Sequence, residues 1–124
     1  VSERPAILLV DHGSRRPEAN DQLREVAARL RARDPDRVVR IAHLELAKPT
    51  IAEGIADCVA AGAREIVVHP YLLAPGRHSR DDIPAEAERA ARQHPGVRVR
   101  VSAPLGLHEK LVDVVLERIE EAGR

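Results

Sequence analysis

Residues 6–10, Ala-Ile-Leu-Leu-Val, form an unbroken apolar run that stops at Asp11-His12-Gly13-Ser14. A strand with one wet face alternates apolar and polar residues, so an unbroken run reads as a strand covered on both faces. Such strands belong to parallel sheets with helices on either side. The rest of the chain repeats the theme. Residues 65–69 have a nearly continuous apolar middle, residues 38–44 are apolar but interrupted by Arg40, and residues 97–101 alternate strictly between valine and arginine. Between these strands lie helical patterns. Ala19, Leu23, Val26, Ala27 and Leu30 predict a helix opening near Pro17 and ending at Asp34-Pro35-Asp36. Ile51, Ile55, Cys58 and Val59 stripe a second, with Thr50 and Glu53 at capping-box spacing and Gly62 free to adopt the left-handed conformation at its end. Ser79 and Asp82 are placed to cap a third helix running to about Gln93, with Pro84 in its opening turn. A last helix carries Leu111, Val112, Val115 and Ile119.

Four strands alternating with four helices predict a three-layer α/β domain around a parallel four-stranded sheet. Strands one and three lack interior charge and belong at the centre, whereas the arginines of strands two and four mark edges. With right-handed crossovers, the predicted order is 2-1-3-4. The 124 residues suit a single domain, 1–124, with no internal repeat, low-complexity tract or linker.

Composition narrows the function. Twenty basic and twenty acidic residues cancel, and one tyrosine is the whole aromatic complement. Bulk charge and stacking platforms are both missing, so no nucleic-acid partner is expected. No apolar run approaches bilayer length, and the opening VSERPAILLV lacks the parts of a signal peptide, so no membrane is expected and the placement reads as cytoplasmic. Cys58 stands alone and reads as a small buried residue, which excludes a cysteine-cluster zinc site.

In open parallel sheets, ligands bind beyond the carboxyl ends of the strands. His12 follows strand one there, Glu45 follows strand two, and His78 lies in the loop after strand three. Taken singly, each has a structural reading, as a loop hydrogen bond or a salt bridge. As three residues at equivalent strand ends they point to one polar site. Two neutral imidazoles and a carboxylate suit a borderline divalent ion, and the same groups can move protons near neutral pH. His43 is a weaker third imidazole, on the same side as Glu45 if strand two continues that far. His69 reads as structural or supporting, His94 as a helix-end cap, and His108 as either site edge or plain surface. Arg15, Arg16, Lys48, Arg77 and Arg80 surround the triad and, with helix N-termini after His12 and His78, favour an anionic ligand. Nearby Glu18, Asp81 and Asp82 dilute that charge. No GxGxxG, GxxxxGK[ST] or G-x-S-x-G is present, and Ser14 has no base and orienter arranged around it.

Four stretches, in order, resemble the short-form sirohydrochlorin chelatases of the CbiX/SirB group: Leu8-Leu9-Val10-Asp11-His12-Gly13-Ser14-Arg15, Leu44-Glu45-Leu46-Ala47-Lys48-Pro49-Thr50, Gly76-Arg77-His78-Ser79-Arg80-Asp81-Asp82-Ile83-Pro84, and Ala103-Pro104-Leu105-Gly106. The resemblance implies a chelatase-like, flavodoxin-related fold. It also implies insertion of a divalent metal into sirohydrochlorin for cobalamin or sirohaem synthesis. His12 and His78 match the family's two active-site histidines, and Glu45 its acidic partner. By the same resemblance the small forms act as homodimers. No cofactor is permanently bound; Co2+, Fe2+ or Ni2+ enters as substrate. Arg15, Arg16, Arg77, Arg80 and Ser14 are the expected contacts to the substrate's carboxylates, with Leu72, Leu73 and Leu105 forming an aliphatic pocket face. Asp11 departs from the glycine or small residue common before the histidine, which bears on the tuning of His12 and on metal preference. Two other readings are a non-catalytic metal or tetrapyrrole carrier and a phosphoryl-transfer enzyme. The second lacks the arginine that precedes the histidine in RHG-type phosphatases.

Overall fold

The computed structural model describes residues 4–123. The expectation about a leader at the amino terminus falls partly on residues 1–3, outside the described residues. Strands β1 (Ala6–Asp11), β2 (Val39–His43), β3 (Glu65–Pro70) and β4 (Arg98–Val101) alternate with helices α1 (Pro17–Arg33), α2 (Ile51–Ala60), α3 (Arg77–Ala91) and α4 (Glu109–Ala122). All strand pairs are parallel, and the order is β2-β1-β3-β4. The apolar runs of β1 and β3 are therefore central and the arginine-bearing strands are the edges, as their patterns predict.

The two sheet faces carry separate cores. Leu8, Val10, Ile66 and Val68 pack with Ile55 and Cys58 of α2 and with Ile83 and Ala87 of α3. On the other face, Leu9 and Val39 pack with Leu23 and Ala27 of α1. The buried Cys58 thiol is pushed up to about 11 by loss of solvation, which keeps it an inert apolar filler.

Helix ends test the local reading. Pro17 opens α1 and Asp34 follows its last residue. Thr50 and Glu53 form a complete capping box, and Gly62 has φ 96°. The expected Ser79–Asp82 cap does not form. Helix α3 begins at Arg77 with Gly76 as its N-cap, which puts Ser79 inside the first turn on the buried face. Pro84 consequently lies in the helix interior rather than the opening turn. Its missing N–H leaves the backbone without one ladder bond.

Helix α4 departs further. Its apolar residues sit at helical spacing, yet none of its residues is buried, and Val115 and Ile119 are 56% and 63% exposed. The face of β3 and β4 beside α1 is left without a helix. Among the described residues, no helix is long and apolar enough to cross a membrane.

Candidate functional site

Parallel pairing brings the carboxyl ends of β1 and β2 level, with Asp11 opposite His43. From there the two chains run on together: Leu44 N–H donates to the Asp11 carbonyl and Glu45 N–H to the His12 carbonyl, at 2.9 and 3.1 Å. Gly13 makes this closeness possible. Its φ is 93°, and a Cβ there would stand 1.8 Å from the Glu45 carbonyl oxygen. Only glycine tolerates both. Leu46, next to Glu45, is the one described non-glycine residue at positive φ, 68°. Such a backbone costs about 1 kcal/mol or more and turns the chain sharply just after the carboxylate.

The outcome is that His12 Nδ1 lies 3.4 Å from Glu45 Oε1, with both side chains more than half exposed. Two donors face solvent together, as the strand-end reading expects. His78 does not join them. It is the second residue of α3, its side chain is 99% exposed, and its nearest acidic neighbour is Asp82 at 3.7 Å. No three His, Cys, Asp or Glu side chains among the described residues converge closely enough to enclose an ion. The expected triad is thus a pair on one side of the rim and a single imidazole on the other.

His43 is not a ligand sharing a side with Glu45. Strand β2 ends at His43, so the alternation that placed the two together stops. The ring is fully buried, and its Nδ1 lies 2.5 Å from the Asp11 carboxylate, which accepts the hydrogen bond. Asp11 thereby engages His43 rather than His12. Nε2 of His43 is the one buried side-chain polar atom without a partner among the described residues.

Two contributors escape the linear reading. Asn20 is buried, accepting from Ser14 N–H at 3.0 Å and donating to the Ser14 carbonyl at 2.7 Å. This pins the loop that carries His12. A polar residue three before Leu23 on the buried stripe of α1 was its signal, although Ala19, assigned to that stripe, is exposed. Tyr71 is the other, lining with Leu72, Ser14 and Asp11 a cavity of about 270 Å3 beside His12. Its N–H donates to the Val10 carbonyl.

Arg15, Arg16, Arg77 and Arg80 are exposed, and none has a carboxylate within ion-pair distance among the described residues. Arg80 also edges a second cleft of about 460 Å3, between the start of α3 and the Ala103-Pro104 segment. Leu72 faces the cavity, Leu105 lies elsewhere, and Leu73 is 64% exposed. His69 is half-buried beside Ser102 Oγ at 2.8 Å, and burial holds its imidazole below the ordinary range against a backbone hydrogen bond at Ala103. His108 caps α4 through Lys110 N–H, which makes it structural. His94 is half-buried after α3 and accepts from Val97 N–H through its carbonyl.

Residues 6–122 match the family model described as CbiX. The chain belongs to the CbiX family. It is 41% identical over 120 residues to a chloroplastic sirohydrochlorin ferrochelatase of Arabidopsis thaliana, covering 97% of this chain and 53% of that protein. A sirohydrochlorin cobaltochelatase of Methanococcoides burtonii is 34% identical, with 98% of each chain covered. Among solved structures, SirB from Bacillus subtilis with Fe3+ superposes with TM-score 0.87 at 37% identity, over 98% of this chain and 48% of that one. A CbiX protein from Marinobacter aquaeolei superposes with TM-score 0.81 at 28% identity, over 96% and 97%. The chain thus spans about half the length of its chloroplast and Bacillus relatives and matches others end to end. The α/β fold of this CbiX-family chain is that of the chelatase structures.

Proposed function

We propose that this chain inserts a divalent metal ion into sirohydrochlorin, with His12 and Glu45 receiving the ion and His78 acting from the opposite side of the rim. The observation that carries the proposal is the 3.4 Å His12–Glu45 pair, open to solvent at a strand-end cavity of a CbiX-family domain. An imidazole and a carboxylate bind cobalt, ferrous and nickel ions alike. Two protein donors leave most coordination positions free, so the four pyrrole nitrogens of the macrocycle can replace water and then the protein. A closed cage would hold the ion too tightly to release it. Insertion also frees two pyrrole N–H protons. His12, Glu45 and His78 are groups able to take them, one at each face of the bound ring. Arg15, Arg16, Arg77 and Arg80 offer unpaired guanidiniums to the substrate's carboxylates. The working unit in this reading is a homodimer.

The test follows the sirohydrochlorin absorption spectrum on addition of Co2+, Fe2+ or Ni2+ in parallel. Wild-type protein is expected to accelerate insertion, and His12→Ala and His78→Ala each to lose ~10²-fold or more. Unchanged rates in both variants would sink the assigned roles. Stoichiometric binding without acceleration would mark a carrier instead. The ion giving the highest kcat/KM identifies the preferred metal.

A further inference from the structure

The cleft between the start of α3 and the Ala103-Pro104 segment has apolar walls and a few polar groups set among them. Pro70, Pro75, Pro84 and Pro104 line it together with Ile83 and Val101. Proline carries no N–H, so four of these residues make stiff, apolar wall without a backbone donor. The polar side chains are Ser79, Arg80 and Ser102, and none of the described lining residues is acidic. Ser102 is already engaged: its Oγ lies 2.8 Å from His69 Nδ1 and donates to the Ala103 carbonyl at 3.0 Å. Ser79 is not. It is only 7% exposed, yet its hydroxyl bonds to no described residue. Nor is that hydroxyl sealed away, since the one sealed side-chain polar atom without a partner among the described residues is His43 Nε2. A nearly buried hydroxyl that faces a cleft without a partner calls for one from outside the chain.

The backbone beside Ser79 is in the same condition. An α-helix leaves its first N–H groups without internal partners. Gly76 gives α3 no side-chain cap, and no acidic residue stands in the first turn. Ser79 is the third residue of that helix, so its own N–H is among the free donors. Arg80 follows it into the cleft, exposed and without a carboxylate at ion-pair distance among the described residues. A cation near the positive end of a helix dipole is unfavourable until an anion joins it. Hydroxyl, N–H groups and guanidinium are all donors, and no acid of the cleft answers them. The missing partner is an anion. The apolar walls suit one carried on a short aliphatic arm, and a volume of about 460 Å3 falls in the range of small-molecule sites.

We propose that this cleft takes one carboxylate side chain of the tetrapyrrole. Ser79 Oγ–H and the first N–H groups of α3 donate to the carboxylate, Arg80 pairs with it at the mouth, and the arm's methylenes lie along the proline walls. The proposal rests on the sirohydrochlorin reading above and adds an anchor point to it. Successive residues of a helix stand about 100° apart around its axis. His78 can therefore stand in solvent on the rim while its neighbour Ser79 faces the cleft. A carboxylate held by Ser79 brings the ring to the imidazole beside it. On the side of the rim where His78 stands apart, register comes from the bound substrate.

Two measurements on the full chain test this: insertion kinetics with sirohydrochlorin varied, and absorbance titration of sirohydrochlorin without metal. Ser79→Ala removes only the hydroxyl and leaves a strong helix former, so its melting temperature should stay near wild type. Its KM for sirohydrochlorin and the titrated Kd should rise about tenfold, the worth of a hydrogen bond to a charged group, with a smaller fall in kcat. Arg80→Ala should weaken binding as well, and Arg80→Lys should recover part of it by keeping the charge. The KM for the metal ion should not move in any of them. Wild-type affinity in Ser79→Ala, or a loss confined to Arg80→Ala, would overturn the subsite. So would a raised metal KM, which would place the effect at the ion rather than the carboxylate. A wild type that binds sirohydrochlorin without accelerating insertion would sink the chelatase reading instead, and the titration would still decide the subsite.

Discussion

The two sides of the candidate site are built differently. On the β1–β2 side every carrier of His12 and Glu45 is tied down. Asp11 holds the buried His43, Asn20 grips Ser14 at both backbone groups, and Gly13 lets two chains run in hydrogen-bond contact. On the β3–α3 side, His78 stands fully in solvent on a helix whose N-cap, Gly76, offers no side chain. One half is prebuilt to present two donors at fixed spacing. The other presents a single imidazole on a surface that a large planar substrate can approach. An enzyme that must take up an ion and then surrender it gains from such asymmetry, since full enclosure by both halves would stabilise the bound ion against transfer.

The sharpest way to break the contrast is a matched pair of glycine substitutions. Gly13→Ala is expected to cost about 3 kcal/mol or more, because positive φ and a backbone clash act together and no rotamer relieves either. Metal insertion should fall with it. Gly76→Ala meets nothing within 4 Å at an ordinary φ of −71°, so urea denaturation should find its stability close to wild type. Equal losses would show that the two halves are equally constrained.

A second pair removes the acidic partner on each side. Asp11→Ala strands a buried imidazole nitrogen and should cost about 2–3 kcal/mol. Asp82→Ala beside the exposed His78 should leave the melting temperature unchanged. The smallest effect is expected from pH. Burial holds His69 below its ordinary value of 6.5, so the unfolded chain binds the proton first as pH falls. Its contribution is therefore fully present above about 6.5 and declines below it, toward the folded value. Melting curves from pH 7.5 to 5 should show that decline, and His69→Gln should flatten it. An unaltered slope would assign the decline to other groups.

Much of the fold is legible in the chain because its signals are local. Unbroken runs at residues 6–10 and 65–69 mark strands covered on both faces, and Thr50 with Glu53 satisfies a helix end within four residues. The misplaced cap at Ser79 shows the limit. Glycine at 76 leaves no side-chain mark, and starting the helix there moves Ser79 from cap to core face.

By itself, the sequence determines the element order, the central and edge strands, and which residues stand at the strand ends. Burial periodicity encodes each of these over a few neighbouring positions. Only the tertiary structure decides that His12 meets Glu45 while His78 stands apart, that Asp11 is committed to His43, and that α4 leaves its own sheet. Asp11 and His43 are 32 residues apart in the chain. Their meeting depends on strand register, which no local pattern records, and the fate of α4 depends on whether its apolar face finds cover within its own chain.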